Sequence, residues 1–94
     1  MKSFIDKYGP WALVTGASSG IGEQFALQLA EKGLHVAMVA RRKERLDTLA
    51  SQIREQHGVD TRTISVDLSH ENFMATLLPE IEGLDVGLLI NNAG

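Results

Sequence analysis

The sequence predicts an α/β domain built on a parallel sheet with helices on both faces. Three observations carry this prediction. Short apolar runs alternate with longer segments of helical period, as in successive βαβ units. The first run, Trp11-Ala12-Leu13-Val14-Thr15, is apolar on both of its faces, as a central strand covered from two sides must be. A glycine-rich turn then joins that run directly to an amphipathic segment.

The elements follow in order. Gly16 ends the first strand, and the first helix is expected over Gly20 to Lys32. Its apolar positions Ile21, Phe25 and Leu29 recur every four residues with Ala26 and Ala30 beside them, and Gly33 supplies a left-handed cap. His35 to Ala40 forms the second strand. Leu46, Leu49, Ala50 and Ile53 stand at i, i+3, i+4 and i+7 before Gly58 and mark the second helix. Thr61 to Val66, rich in β-branched residues, makes a third strand that ends at Asp67. Ser69 is the expected cap of a third helix with Glu71 in its first turn. Phe73, Met74, Leu77 and Leu78 give that helix an apolar face, and it is expected to end near Leu77, because Pro79 inside a helix costs about 3 kcal/mol. Asp85 to Ile90 is the fourth strand, with Asn91-Asn92-Ala93-Gly94 at its carboxyl end.

Composition sets the outer limits. With 44% hydrophobic and 22% charged residues the chain is too apolar for disorder, and 94 residues make one small domain or a piece of a larger one. Nine Lys and Arg against twelve Asp and Glu leave a net charge of -3, which argues against a nucleic-acid partner. The absence of cysteine excludes disulfides, thiolate metal sites and cysteine nucleophiles and suits a reducing compartment. His35, His57 and His70 lie near no other ligand-type cluster, so no metal site is expected. No apolar run is long enough for a transmembrane segment, and a cytoplasmic location is expected.

The chemistry concentrates at the turn Gly16-Ala17-Ser18-Ser19-Gly20-Ile21-Gly22. A helix start leaves backbone amides without intrahelical partners, and an anion can satisfy them. Gly16 permits the tight turn, Gly20 lets a pyrophosphate approach the backbone, and Gly22 lets the helix pack closely on the strand. The spacing is G-x-x-x-G-x-G rather than the general G-x-G-x-x-G, so the turn alone also suits an ordinary strand-to-helix connection. No G-K-[ST] follows, which counts against a P-loop nucleotidase.

The end of the second strand narrows the ligand. An NAD site normally places a carboxylate about 20 residues after the glycines to hold the ribose 2′-hydroxyl. Here Ala40-Arg41-Arg42 occupies that place, so a 2′-phosphate would find guanidinium groups instead, and NADP(H) is preferred. Arg41, Arg42, Lys43 and Arg45 also fit a solvated helix face. Cations at a helix N-terminus, however, are unfavourable by roughly 0.3 to 1 kcal/mol each, and an anion repairs this. Asp67, at the same sheet edge, suits either an adenine amino group or the opening of a turn before Ser69.

Thr15-Gly16-Ala17-Ser18-Ser19-Gly20-Ile21-Gly22, Asp67-Leu68 and Asn91-Asn92-Ala93-Gly94 together resemble the short-chain dehydrogenase/reductase family. The resemblance covers the chain after Pro10. The stretch Tyr8 to Gly16 more narrowly resembles the branch of very-long-chain 3-oxoacyl reductases and 17β-hydroxysteroid dehydrogenases. It implies a Rossmann-like half domain over residues 1–94, a four-stranded parallel sheet in the order 3-2-1-4, with the first two helices on one face and the third on the other. It further implies that Gly16, Ser18, Ser19, Gly20, Ile21 and Gly22 hold the cofactor phosphates and adjoining ribose. Arg41 would bind the 2′-phosphate with Arg42 beside it, Asp67 the adenine amino group and Leu68 the adenine-site backbone. Asn92, Ala93 and Gly94 would line the ribose side.

The family's reaction interconverts carbonyls and alcohols by hydride transfer. Its catalytic Ser and Tyr-x-x-x-Lys set lies beyond the Asn-Asn-Ala-Gly motif. Tyr8 is the only tyrosine here, and Ala12 stands where that spacing requires lysine. No catalytic residue is therefore assigned, and the chain alone is expected to be inactive. The fourth strand is expected to leave an apolar edge, Val86, Leu88, Leu89 and Ile90, open to self-association. Two alternatives stay open: a small non-catalytic module that binds a nucleotide or a partner, and a scaffold whose glycine turn binds nothing.

Overall fold

The computed structural model describes residues 9–17, 20–67, 69 and 71–91. Strands and helices alternate throughout: β1 (Trp11–Thr15), α1 (Gly20–Glu31), β2 (His35–Ala40), α2 (Lys43–His57), β3 (Thr61–Ser65), α3 (Phe73–Ile81) and β4 (Val86–Asn91). Every strand pair is parallel, and the order across the sheet is β3-β2-β1-β4. The strands therefore add in one direction from β1 to β3, and the chain then crosses back past β1 to lay down β4. Parallel crossovers are right-handed, so this reversal moves the connecting helix to the opposite face of the sheet.

The packing shows that consequence. On one face Ala26, Leu29, Leu46, Leu49 and Ile53 from α1 and α2 close over Ala12, Val14, Val36 and Met38. On the other, Leu77 of α3 joins Leu13, Ala37, Val39 and Ile64. Met38, Leu46 and Ile53 are fully buried, and burial of each such side chain contributes about 1.5–3 kcal/mol. The left-handed cap expected at Gly33 is found there (φ 94°), and Gly58 (φ 68°) ends the second helix in the same conformation, its N–H donating to the Arg54 carbonyl. His35 is structural: its Nδ1 accepts from the Asp60 N–H at 2.9 Å, and its ring lies 5.2 Å from that of its register partner Trp11.

Three expectations need correction. The buried residues of α1 are Gly22, Ala26, Leu29 and Ala30, at i, i+4, i+7 and i+8, while Ile21 is 65% and Phe25 38% exposed. Small residues let this helix sit close to the sheet, which turns the larger flanking side chains outward. Second, α3 begins at Phe73 after Asn72, so neither Ser69 nor Glu71 belongs to its first turn. Ser69 is engaged elsewhere, donating its N–H and hydroxyl to Asp67 Oδ1 at 3.0 and 2.6 Å. Third, α3 continues through Pro79 to Ile81. Pro79 and Ala75, the residue whose carbonyl it cannot serve, are both exposed, so solvent can stand in for the lost donor. Smaller differences are the ends of α1 at Glu31 and β3 at Ser65, and the shift of β4 by one residue to Val86–Asn91.

That last shift has a structural cause. Trp11 pairs with Val86 but Ala12 pairs with Leu88, so Gly87 is an extra residue in β4. A bulge of this kind reverses the faces of everything after it, and glycine accommodates it readily. Val86 therefore packs on the α3 side, whereas Leu88 and Ile90 pack on the side of α1 and α2. The bulge also brings Asn91, rather than Ile90, opposite Thr15.

Candidate functional site at the carboxyl edge of the sheet

Parallel register brings the carboxyl ends of all four strands to one edge. Thr15 is level with Val39 and Asn91, and Ala40 with Ser65. The strand order reverses between β1 and β4, and ligands of open α/β sheets bind outside such a reversal. The glycine turn leaves the sheet there.

Gly16 has φ 66°, a left-handed conformation that a side chain would strain. The Ala17 N–H donates to the Val39 carbonyl at 3.1 Å and ties the turn to β2. α1 starts at Gly20, so its first amides lie at the edge with the positive end of the helix dipole. A Cβ placed on Gly22 would collide with the Gly16 carbonyl oxygen and approach Ala17 Cα to 2.9 Å. A Cβ placed on Gly20 would meet nothing within 4 Å. Gly22 is thus required by packing, whereas Gly20 keeps an open space at a helix start, a cradle that fits a phosphate against the backbone.

Beside the turn, Thr15 is 7% exposed, and its hydroxyl donates to Asn91 Oδ1 at 3.0 Å, locking β1 to β4 where the order reverses. Arg41 and Arg42 follow β2, and both are exposed. Among the described residues, neither guanidinium takes part in an ion pair. Lys43 differs, since its ammonium binds Asp47 at 2.7 Å one helical turn on. That bond and the Thr63 hydroxyl hold the Asp47 carboxyl below its ordinary value. The structure therefore separates Arg41 and Arg42 from Lys43.

Asp67 stands at the same edge, with Oδ1 closing the turn to Ser69. Ile21 is exposed beside the Gly20 space. Ser18, Ser19, Leu68, Asn92, Ala93 and Gly94 lie outside the described residues. Among the described residues, no group of three or more His, Asp or Glu side chains is arranged to hold a metal, and no helix is long and apolar enough to cross a membrane. Sequence reasoning did not single out Thr63 or Ser65, whose partners Asp47 and Arg41 lie 16 and 24 residues away.

A parallel sheet in the order 3-2-1-4, with a glycine turn opening a helix at the strand reversal, defines a Rossmann-like nucleotide-binding half domain. The pattern of the short chain dehydrogenases matches residues 10–94, and the chain belongs to that family. It is 45% identical over 87 residues to the very-long-chain 3-oxoacyl-CoA reductase of Anas platyrhynchos, covering 92% of this chain and 28% of that protein. Among solved structures it is similar to a 7β-hydroxysteroid dehydrogenase, with a TM-score of 0.89 and 40% identity over 94% of this chain and 34% of that one. It is also similar to a short-chain dehydrogenase from Sphingobium yanoikuyae in complex with NADPH, with a TM-score of 0.83 and 40% identity over 92% and 34%. The chain thus spans about a quarter to a third of the length of these proteins.

Proposed function

We propose that this chain is the NADP(H)-binding portion of a short-chain dehydrogenase/reductase that interconverts carbonyls and alcohols. The observation that carries the proposal is the pair Arg41 and Arg42, exposed and outside any described ion pair, beside an open glycine cradle. The NADPH complex of the Sphingobium relative supports the same cofactor.

In this reading Gly16, Gly20 and Gly22, with Ser18, Ser19 and Ile21, hold the pyrophosphate and adjoining ribose at the start of α1. Arg41 and Arg42 pair with the 2′-phosphate through charge-assisted hydrogen bonds. Asp67 and Leu68 take the adenine, and Asn92, Ala93 and Gly94 take the ribose side. The bound cofactor supplies or accepts a hydride. Thr15 and Asn91 keep the floor of the site rigid, and the 94-residue chain by itself binds without turnover because it has no Tyr-x-x-x-Lys acid. Similarity to 3-oxoacyl-CoA reductases makes an acyl-chain ketone the substrate class to test first for the whole enzyme. The proposal places it in the cytoplasm, where NADPH is supplied; subcellular fractionation checks this.

The test is titration of the chain with NADPH, followed by nucleotide fluorescence, in wild-type protein and Arg41→Ala. Loss of one charge-assisted contact, about 1.5–3 kcal/mol, predicts about 10- to 150-fold weaker NADPH binding. An unchanged affinity sinks the proposal.

A second reading, self-association through β4, is supported by the position of β4 at the sheet edge and by Leu89, 58% exposed on it. Met74 and Leu78, at 44% and 52% exposed, extend the apolar surface onto α3. Sedimentation velocity over a hundredfold concentration range tests it, and a single monomeric species throughout removes it.

A further inference from the structure

The edge strand β3 turns an unusual side toward α2. Thr61, Thr63 and Ser65 alternate with Arg62 and Ile64, of which Ile64 packs into the core on the α3 side and Arg62 donates to the Glu80 carbonyl at 3.2 Å. Each of the three hydroxyls on the other side engages the unit formed by α2 and the turn before it. Thr61 Oγ1 accepts from the Arg54 guanidinium at 2.6 Å. Thr63 Oγ1 donates to Asp47 Oδ1 at 3.2 Å, while Asp47 Oδ2 takes the Lys43 ammonium. Ser65 Oγ donates to the Arg41 carbonyl at 3.0 Å. Strand and helix run antiparallel, so the three bonds are spread along the helix axis and oppose both sliding and rotation of α2.

Ser65 is the member that reaches the backbone bearing Arg41. The chain there has a second constraint, since the Val66 N–H donates to the Ala40 carbonyl at 3.0 Å. Beyond it the Arg42 carbonyl accepts the Leu46 N–H at 3.3 Å and starts the helix. Between these two fixed carbonyls the Arg41 carbonyl accepts from the Ser65 hydroxyl. A long guanidinium side chain keeps its aim only as well as its own backbone is held.

We propose that Ser65 is a positioning residue for cofactor discrimination: by fixing the Arg41 peptide it sets the direction in which the guanidinium meets the 2′-phosphate. The proposal rests on the functional reading given above. Ser65 does not touch the cofactor, and its effect passes through Arg41. It therefore influences NADPH binding and leaves NADH binding, which makes no use of a 2′-phosphate, unchanged.

The experiment measures Kd for NADPH and NADH by fluorescence titration in wild-type chain, Ser65→Ala, Ser65→Thr, Arg41→Ala and the double variant Ser65→Ala/Arg41→Ala, with thermal melts alongside. Ser65→Ala is expected to weaken NADPH about three- to tenfold, the range of one neutral hydrogen bond, with no change for NADH. Ser65→Thr keeps the hydroxyl and restores the preference. In the double variant the serine change adds nothing to the loss from Arg41→Ala, as expected of residues that act in series. Equal weakening of both nucleotides, or an additive double variant, overturns the proposal in favour of a general structural role. A wild-type chain without preference for NADPH, or one indifferent to Arg41→Ala, overturns the functional reading and the role of Ser65 with it. If Ser65→Ala melts below the assay temperature, Ser65→Val provides the same deletion of the donor with a β-branched side chain suited to the strand.

Discussion

The two glycines at the start of α1 predict opposite outcomes for the same substitution. At Gly22 an added methyl would run into the Gly16 carbonyl and Ala17 Cα, both backbone atoms that no rotamer change can move aside. Overpacking costs about 1–3 kcal/mol, and rigid backbone on both sides puts Gly22→Ala at the upper end. Alanine returns about 1 kcal/mol through helix propensity, leaving a net loss of about 2 kcal/mol. In a domain of this size that lowers Tm by about 8–16 °C. At Gly20 the methyl meets nothing, so Gly20→Ala is expected to leave Tm unchanged or raise it slightly. If phosphate occupies that space, the same methyl overpacks the complex by about 1–3 kcal/mol and weakens NADPH binding about 5- to 150-fold. Thermal denaturation and nucleotide titration on the two variants separate the effects. A Gly22→Ala protein as stable as wild type would refute the packing argument. Unimpaired binding by Gly20→Ala would refute the cradle.

Three further predictions concern the scaffold. Ile53→Ala, which empties a fully buried position on the inner face of α2, is expected to cost about 2–5 kcal/mol in urea denaturation, a large share of the stability of a small domain. Thr15→Val removes the donor to Asn91 and is expected to destabilise by about 0.5–1.5 kcal/mol, the range of one neutral hydrogen bond, since the exposed Asn91 amide can turn to water; loss of protection at β4 in hydrogen exchange checks it. Asp47 has a lowered folded-state pKa, so its contribution is complete above the ordinary carboxylate value and disappears as pH falls through the folded value. The stability difference between wild type and Asp47→Asn is therefore expected at neutral pH and should vanish on acidification below that value, as read by melts across pH.

Most of the fold was legible because it is written in local pattern. Apolar runs such as His35 to Ala40, bounded by glycine and charge, give strands whatever lies around them. The glycine turn was legible for the same reason, since Gly16 and Gly22 each answer a steric demand within a few residues. The errors arose where a distant neighbour decides. Ile21 and Phe25 have the right period for a buried stripe, yet the close seat of α1 on the sheet, allowed by Gly22, Ala26 and Ala30, places them outside it. Ser69 has the chemistry of a helix cap, but Asp67 engages it first. Pro79 stops a buried helix and not one whose outer face is open to water. The bulge at Gly87 and the hydroxyls of β3 left no mark in the sequence that could assign their partners, because those partners stand 24 residues away in the case of Ser65 and Arg41 and in the neighbouring strand in the case of Gly87.

The central claim is that this carboxyl edge distinguishes a 2′-phosphate from a 2′-hydroxyl. The most direct test is the ratio of Kd for NADH to Kd for NADPH on the wild-type 94-residue chain, measured by isothermal titration at low and at physiological salt. The account predicts NADPH tighter by about tenfold or more at low salt, with the advantage shrinking as salt screens the exposed guanidinium groups. Equal affinities, or tighter binding of NADH, would contradict it.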